Sequence, residues 1–541
     1  MNYKSWRPYL LILIILSAGL FFFHLGTRPL LSSGEARAGG IAAEMIQRGD
    51  FIVPYLNESI LLTKPPLFHW SIILFYKSFG ISEFTSRVPS ALSGVLVACL
   101  VYLMGAGFWS RKTGFLASLM LIASPLFFWS ARCARIDCLL LFFITAAMFC
   151  FWRGYSGGPR RQIWFLGWFS FMALGVLAKG PVGVVVPLLT AALFLLYTKQ
   201  NRFWKQVNWC WCLALFLLII LPWFIAVYLR VPHDKTQLFY LQQNRVWLGG
   251  GGEWYKGYIY IAHFLFGFFP WSLALPAVFA FTWTEVKDCK DEAKVFLWCW
   301  FLAVFFIFFF FGKKVSRYIL PLYPPAALLC AVVAAGRPGI NRVFCAALAG
   351  LWLIIAAGVV LLPLYSGFLD TELVSIISNN INPAAIVIIA VLSIVVSIYG
   401  IKKKNYMAAV TVSVVTLLMF IQYVIPVEKI YYSPKPFCAM MKRRIPEEAT
   451  VCSYRSRDNT IRYYFGRHVD VFPPPHKTYK DPVLLRQDFL KYAGPKKDLY
   501  CIMWEKTYKE APESITQMFT IEARGYKVQE RKALLLKKIQ E

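Results

Sequence analysis

The sequence predicts a polytopic α-helical membrane protein of about thirteen transmembrane helices, followed by a C-terminal α/β domain on the outer face. Three observations predict it. Of 541 residues, 58% are hydrophobic and 16% charged, against roughly 45–50% apolar and 25% charged in a soluble globular protein. Apolar runs of about 20 residues, the length that crosses a bilayer core, recur as far as residue 426. From about residue 428 the composition turns polar. A soluble enzyme is thereby excluded. The net charge of +29, on a chain this apolar, points to anionic head groups or phosphates as neighbours rather than to a nucleic-acid groove.

The first apolar run, residues 8 to 26, follows Lys4 and Arg7 in the manner of a signal peptide. No small-residue cleavage site follows it cleanly, so it reads as a retained helix. Within 31–64, Ala36, Ile41, Met45 and Ile46 recur at helical spacing before a Gly49-Asp50 stop. This is expected to be a helix lying on the outer face that presents Glu35 and Arg37. The stretch 67–79 carries His69 and Lys77, is too short and polar to span, and is expected to pack on the same surface. Interfacial helices thus occupy about 31–80.

Further spans are expected at 88–108, 114–130, 136–153, 163–178, 181–198, 209–229, 257–282, 294–312, 318–335, 343–363, 384–400 and 407–426. A cytoplasmic N-terminus places Arg111-Lys112, Arg160-Arg161, Lys199 to Lys205, Arg337 to Arg342 and Lys402 to Lys404 on the cytoplasmic side, as the positive-inside rule asks. The odd number of spans then sends the polar tail to the opposite face. Its short strand-like runs at 449–454, 469–472, 499–504 and 533–537 alternate with helical stretches such as 436–444. The chain divides into a transmembrane part, 1–427, and an outer domain, 428–541.

That orientation makes a second set of cations anomalous. Arg37, Lys64, Arg132, Arg135, Lys179, Arg245, Lys313, Lys314 and Arg317 all fall at outer helix ends or in outer loops. Any one of them could snorkel to lipid phosphate. As a set drawn from separate loops, they are better explained by convergence on one anionic ligand. Asp137, just after Arg132 and Arg135, either complements a helix start or belongs to the same polar site. The loop from Val231 to Lys256 holds Arg245 and a Gly249 to Gly252 run, which reads as a lid or a flexible connector. Lys313, Lys314, Arg317 and Tyr318 together suit a phosphate clamp. The thirteen cysteines form neither a paired C-x-x-C zinc pattern nor a disulfide framework.

The runs Ser33-Gly34-Glu35-Ala36-Arg37, Ala43-Glu44-Met45, Gly49 to Pro54, Leu56-Asn57 and Lys64-Pro65-Pro66-Leu67 resemble the first outer loop of membrane glycosyltransferases with the GT-C fold. Arg135-Ile136-Asp137, Leu177 to Pro181, Leu221-Pro222-Trp223, Pro270-Trp271 and Lys314 to Pro321 extend the resemblance through about 325 residues. Its closest branch is the aminoarabinose lipid A transferases, themselves similar to protein O-mannosyltransferases.

The resemblance implies a sugar donor linked to polyprenyl phosphate, transfer at the outer face of a bacterial inner membrane, and no cofactor. It also implies that Arg37, Lys64, Arg245, Lys314 and Tyr318 hold the donor phosphate. The family usually has Asp-Glu where Gly34-Glu35 stands, so Glu35 is expected to take the catalytic role with help from Asp137. The family branch also commonly has Glu where Thr63 stands, and no metal is expected. The leading expectation is transfer to lipid A or another envelope glycolipid. Protein O-glycosylation and a lipid flippase are the alternatives, and the latter lacks the matching hydropathy halves it would need.

Overall fold

A computed structural model describes residues 7–30, 32–57, 59–200, 203–232, 254–310, 314–336, 383–403, 433–456, 458–473, 482–528 and 531–539, with a few residues between 346 and 357. Helix α1 (Arg7–Phe22) leads to α2 (Ser33–Arg48), the short hairpin of β1 (Tyr55–Leu56) and β2 (Ser59–Ile60), and α3 (Leu67–Phe79). Next come α4 (Glu83–Phe108), α5 (Arg111–Ile122), α6 (Pro125–Ala131), α7 (Ile136–Tyr155), α8 (Arg161–Lys179), α9 (Val182–Tyr197) and α10 (Trp209–Arg230). After them lie α11 (Tyr258–Gly267), α12 (Leu275–Lys287), α13 (Glu292–Phe309), a 3₁₀ segment Ser316–Leu322, α14 (Tyr323–Gly336) and α15 (Pro383–Lys403).

Among the described residues six helices are long and apolar enough to cross a membrane, or up to eight spans if each of two bent pairs counts as one. The expected straight spans at 114–130 and 257–282 are these bent pairs. α5 and α6 meet at 73°, and α11 meets Trp271–Lys287 at 113°. Proline accounts for both breaks: Pro125 opens α6 and Pro270 precedes Trp271, each lacking the N–H that would continue the helix before it. The expected span at 407–426 lies outside the described residues, and that at 343–363 largely so.

The helices pack through one apolar core that includes Leu119, Phe151, Trp168, Phe296 and Leu328. Between α4 and α5 the backbones touch, since a Cβ on Gly105 would lie 2.7 Å from the Gly114 Cα. Small residues permit such an approach where lipid gives no hydrophobic drive. A helix stands where spacing and the Gly49 stop put one: Ser32 caps α2 by accepting from the Glu35 N–H, and Gly49 closes it in the left-handed region at φ 67°. Its apolar side, Ala38, Ile41, Ala42 and Met45, packs on Phe68 and Ile72 of α3.

The C-terminal part is a three-layer unit. Its elements are α16 (Lys435–Arg444), β3 (Thr450–Tyr454), α17 (Asn459–Phe465), β4 (Asp470–Phe472), α18 (Pro482–Ala493), β5 (Leu499–Trp504), two short helices α19 (Glu505–Lys509) and α20 (Glu513–Thr516), β6 (Phe519–Val528) and β7 (Arg531–Lys538). The strand order is β4-β3-β5-β7-β6, with β3 parallel to both neighbours and β7 antiparallel to both. Alternate residues serve two cores: Tyr500, Ile502 and Leu535 pack under α16 and α17, while Cys501, Met503 and Leu534 pack under α18. β6 was not anticipated from the sequence; the other four strands fall where the sequence placed them.

This unit is fastened to the segment between α1 and α4. Leu30 N–H donates to the Tyr464 hydroxyl at 2.7 Å, and that hydroxyl donates to Glu83 at 3.0 Å. Lys435 pairs with Glu83 at 2.5 Å, and Asn57 Nδ2 donates to the Val469 carbonyl at 3.2 Å.

Candidate active site

Three chain segments meet at the first turn of α7. Asp137 is 5% exposed; its Oδ1 lies 2.5 Å from Lys179 Nζ and its Oδ2 lies 3.1 Å from Arg317 Nε. Lys179 is the last residue of α8, and Arg317 is in the 3₁₀ segment that enters α14. The Lys179 ammonium also sits 4.2 Å from the centre of the Tyr318 ring, a geometry in which the ring face attracts the cation. The helix start adds its own partial positive charge beneath the carboxylate.

Three further cations complete the cluster. Lys64, half-buried behind β2, faces Lys179, Arg37 and Arg317 as well as Asp137; burial, and then these like charges, bring its ammonium down to about 7. Arg37, on α2, faces Arg135, Arg317 and Tyr318. Arg135 lies against Gly34: a Cβ there would be 3.3 Å from Nη1. Five cations, Arg37, Lys64, Arg135, Lys179 and Arg317, therefore gather here, and three of them, Lys64, Lys179 and Arg317, face the Asp137 carboxylate. His69 lies below them, 8% exposed; burial and the charges of Arg37 and Lys64 lower its imidazole to about 4, so it stays neutral. A concentration of positive charge this poorly balanced is costly unless an anion completes it.

Glu35 does not face this cluster as a free base. It is 1% exposed; its Oε1 accepts from Arg87 Nε at 2.9 Å and from the Ala134 N–H at 2.9 Å, and Arg28 Nη2 lies 3.4 Å from both oxygens. Burial raises its pKa, but Arg87 and Arg28 outweigh burial and hold the carboxylate at about 2. Arg87, fully buried, also donates to the carbonyls of Leu25, Arg28 and Pro29. The expectation of a catalytic Glu35 thus meets a carboxylate whose lone pairs already tie α2 to α4 and to the turn before α7.

Lys314, expected at the donor phosphate, lies just beyond α13. Its ammonium donates to the Phe309 carbonyl at 2.7 Å and reaches that of Phe308 at 3.4 Å, at the C-terminal end of α13, where a cation suits the helix dipole. Arg132 is likewise engaged, donating to the Leu20 carbonyl at 2.6 Å at the end of α1. Arg245 and Lys313 lie outside the described residues. Lys179, Arg135 and Arg317 stood in the outer basic set without an assigned role, and Arg28 and Arg87 were missed. The signal for Lys179 and Arg317 is position, since each marks the end or beginning of an apolar run beside Gly180-Pro181 or Pro321. Among the described residues no three His, Cys, Asp or Glu side chains gather as a metal site would require.

The family described as dolichyl-phosphate-mannose-protein mannosyltransferase matches residues 11–239. A protein of Aquifex aeolicus (strain VF5) without an assigned activity is 30% identical over 370 residues, covering 68% of this chain and 71% of its own length. The undecaprenyl phosphate-α-4-amino-4-deoxy-L-arabinose arabinosyl transferase 2 of Proteus mirabilis (strain HI4320) is 28% identical over 61% of this chain. The match spans 60% of that enzyme's length. Among solved structures, that of ArnT from Cupriavidus metallidurans bound to undecaprenyl phosphate is similar at a TM-score of 0.79, with 19% identity and 98% of both chains covered. The archaeal oligosaccharyltransferase AglB from Archaeoglobus fulgidus aligns at 0.54, with 11% identity, over 99% of this chain and 74% of its own.

Proposed function

Because this multi-pass chain belongs to the membrane glycosyltransferases of the GT-C fold that include the aminoarabinose transferases, we propose that it transfers a sugar from a polyprenyl-phosphate carrier to an envelope glycolipid of the lipid A class. The observation that carries the reading is the cluster of five cations, three of which face the carboxylate of Asp137.

The donor phosphate binds between Lys64, Arg37 and the Lys179–Arg317 pair, with Arg135 at the acceptor side. Asp137 is a positioning residue that holds Lys179 and Arg317 toward the phosphate. As the acceptor oxygen bonds to the anomeric carbon, the bond from that carbon to the phosphate oxygen breaks, and its electron pair leaves on the polyprenyl phosphate. Cations already in place stabilise that charge most in the transition state. An acceptor phosphate arrives as an oxyanion with no proton to remove. This suits a site where Gly34 stands beside Arg135 and Glu35 is engaged elsewhere. Tyr318 belongs to the same donor site, and Arg245 and Lys314 are carried in this reading by the resemblance alone. The N-terminus is assigned to the cytoplasm of a bacterial inner membrane, and the unit within 428–541 to the periplasm.

The test compares envelope glycolipids and proteins by mass spectrometry in cells with the protein, without it, and with Lys64→Ala. A sugar-sized mass missing from glycolipid in both deficient strains is the expected result. Loss confined to proteins would move the acceptor to polypeptide, in line with the matched mannosyltransferase family, and no missing adduct would sink transfer altogether.

A further inference from the structure

A cavity of about 630 Å³ lies where α2 meets the C-terminal unit. The volume falls within the roughly 300–1,000 Å³ of small-molecule sites. Its floor is the side of α2 bearing Gly40, Ala43 and Gln47; Asn459 and Tyr463 of α17 form the opposing wall, and Ile81 lies at its margin. None of these residues takes part in the cation cluster, although α2 serves both places through Arg37 and Ala43.

The chemistry of the lining is unlike that of the cluster. Its charges are of both signs: Arg48 pairs with Glu44 at 3.0 Å and Lys435 with Glu83 at 2.5 Å, and Arg462 and Arg467 add two guanidinium groups, the second donating to the Ala449 carbonyl at 3.0 Å. To these it adds the amides of Gln47 and Asn459 and the phenol of Tyr463. Such a surface offers donors and acceptors side by side, as a ligand of hydroxyl groups requires, with an aromatic ring for the sugar's C–H face. At the margin, Ile81 is 52% exposed, and its chain neighbours Phe79 and Phe84 are 73% and 41% exposed. They stand where α3 gives way to the spanning helix α4, so this side of the cavity faces acyl chains. A ligand that satisfies both sides has a glycan head and a lipid tail.

We propose that this cavity binds the part of the acceptor glycolipid's glycan that lies away from the reacting oxygen, a second acceptor subsite separated from the donor phosphate by α2. The proposal rests on the transfer reading for the identity of its ligand, while the cavity's binding is measurable without turnover. Ala43→Trp fills the floor, and Gln47→Ala, on an exposed residue, trims it with little risk to folding.

The purified full chain is titrated with two probes, an acylated, phosphorylated diglucosamine and the matching monosaccharide lipid, and transfer from a polyprenyl-phosphate sugar is followed in parallel. The wild type is expected to bind the two-sugar probe tighter by about tenfold, as a few buried polar contacts allow. Ala43→Trp should erase that difference and Gln47→Ala reduce it. Acceptor KM should rise while kcat and donor KM hold, at unchanged melting temperature. Equal binding of both probes by the wild type, or variants that bind like it, overturns the subsite even where transfer proceeds. If the binding differences appear and no sugar is transferred to any lipid, the transfer reading falls and the subsite stands.

Discussion

Lys179 and Asp137, 42 residues apart in sequence, meet at 2.5 Å across the ends of α8 and α7. Arg317 completes the group at 3.1 Å from the other carboxylate oxygen. Replacing the carboxylate leaves two cations facing each other with nothing between them. Asp137→Asn is expected to lower kcat by on the order of 10²–10³, the loss seen when one preorganised electrostatic group is removed. It is also expected to destabilise the chain by about 3–5 kcal/mol, the range for breaking a buried ion pair. The measurement is transfer rate together with a detergent melt; turnover within twofold of wild type would remove Asp137 from the site.

The lowered ammonium of Lys64 gives a pH signature. In the ligand-free protein Lys64 loses its proton near pH 7, whereas a bound phosphate retains it. Affinity for polyprenyl phosphate should therefore be flat below about pH 7 and weaken as pH rises, by up to about tenfold per unit over the interval between free and bound values. Lys64→Arg, which stays charged, should abolish this slope. Titration of lipid binding between pH 6 and pH 9 decides it, and an unchanged slope in Lys64→Arg would discard the assignment.

Glu35 and Arg87 are expected to matter for folding before chemistry. Arg87→Met strands a buried carboxylate and should cost about 3–5 kcal/mol. With its folded pKa held at about 2, below the ordinary 4.5, Glu35 contributes stability that is full above pH 4.5 and lost as pH falls toward 2. Melting curves of wild type and Glu35→Gln over this range should converge at the acid end. Parallel curves would show that the carboxylate is not ion-paired in the fold.

Gly34→Asp would place a carboxylate within reach of Arg135, whose Nη1 lies 3.3 Å from the added Cβ. The guanidinium need shift only a few tenths of an ångström to pair with it. The new pair withdraws one positive charge from the cluster, so affinity for a phosphate-bearing acceptor should fall by roughly tenfold, about 1.4 kcal/mol, at unchanged melting temperature. Tighter acceptor binding would argue against a phosphate beside Arg135.

Much of the architecture was legible because it rests on local signals. Helical spacing ended by Gly49 located α2, and composition alone separated the spans from the tail. The bends at Pro125 and Pro270 were legible in principle, yet runs of hydropathy hide a change of direction when both limbs stay apolar. The strand Phe519–Val528 escaped notice because its inward residues, Phe519 and Ile521, alternate with Thr520, Glu522 and Arg524. Within the site, the type of chemistry could be read from basic residues that recur at the ends of apolar runs. The roles of single residues could not. Glu35 and Asp137 are both acids near arginines in the sequence, and only three-dimensional packing surrounds one with Arg87 and Arg28 and turns the other toward Lys179 and Arg317.

The hydrogen bond from Leu30 to Tyr464 joins residues 434 apart, and this sets an order on biosynthesis. Leu30 leads into the peptide from which α2 starts, and its amide finds this partner only after nearly the whole polypeptide has been made. By then α2 has its partners in Phe68 and Ile72 of α3 and Arg87 of α4, so the tail adds last a tie on the peptide that precedes a helix already placed.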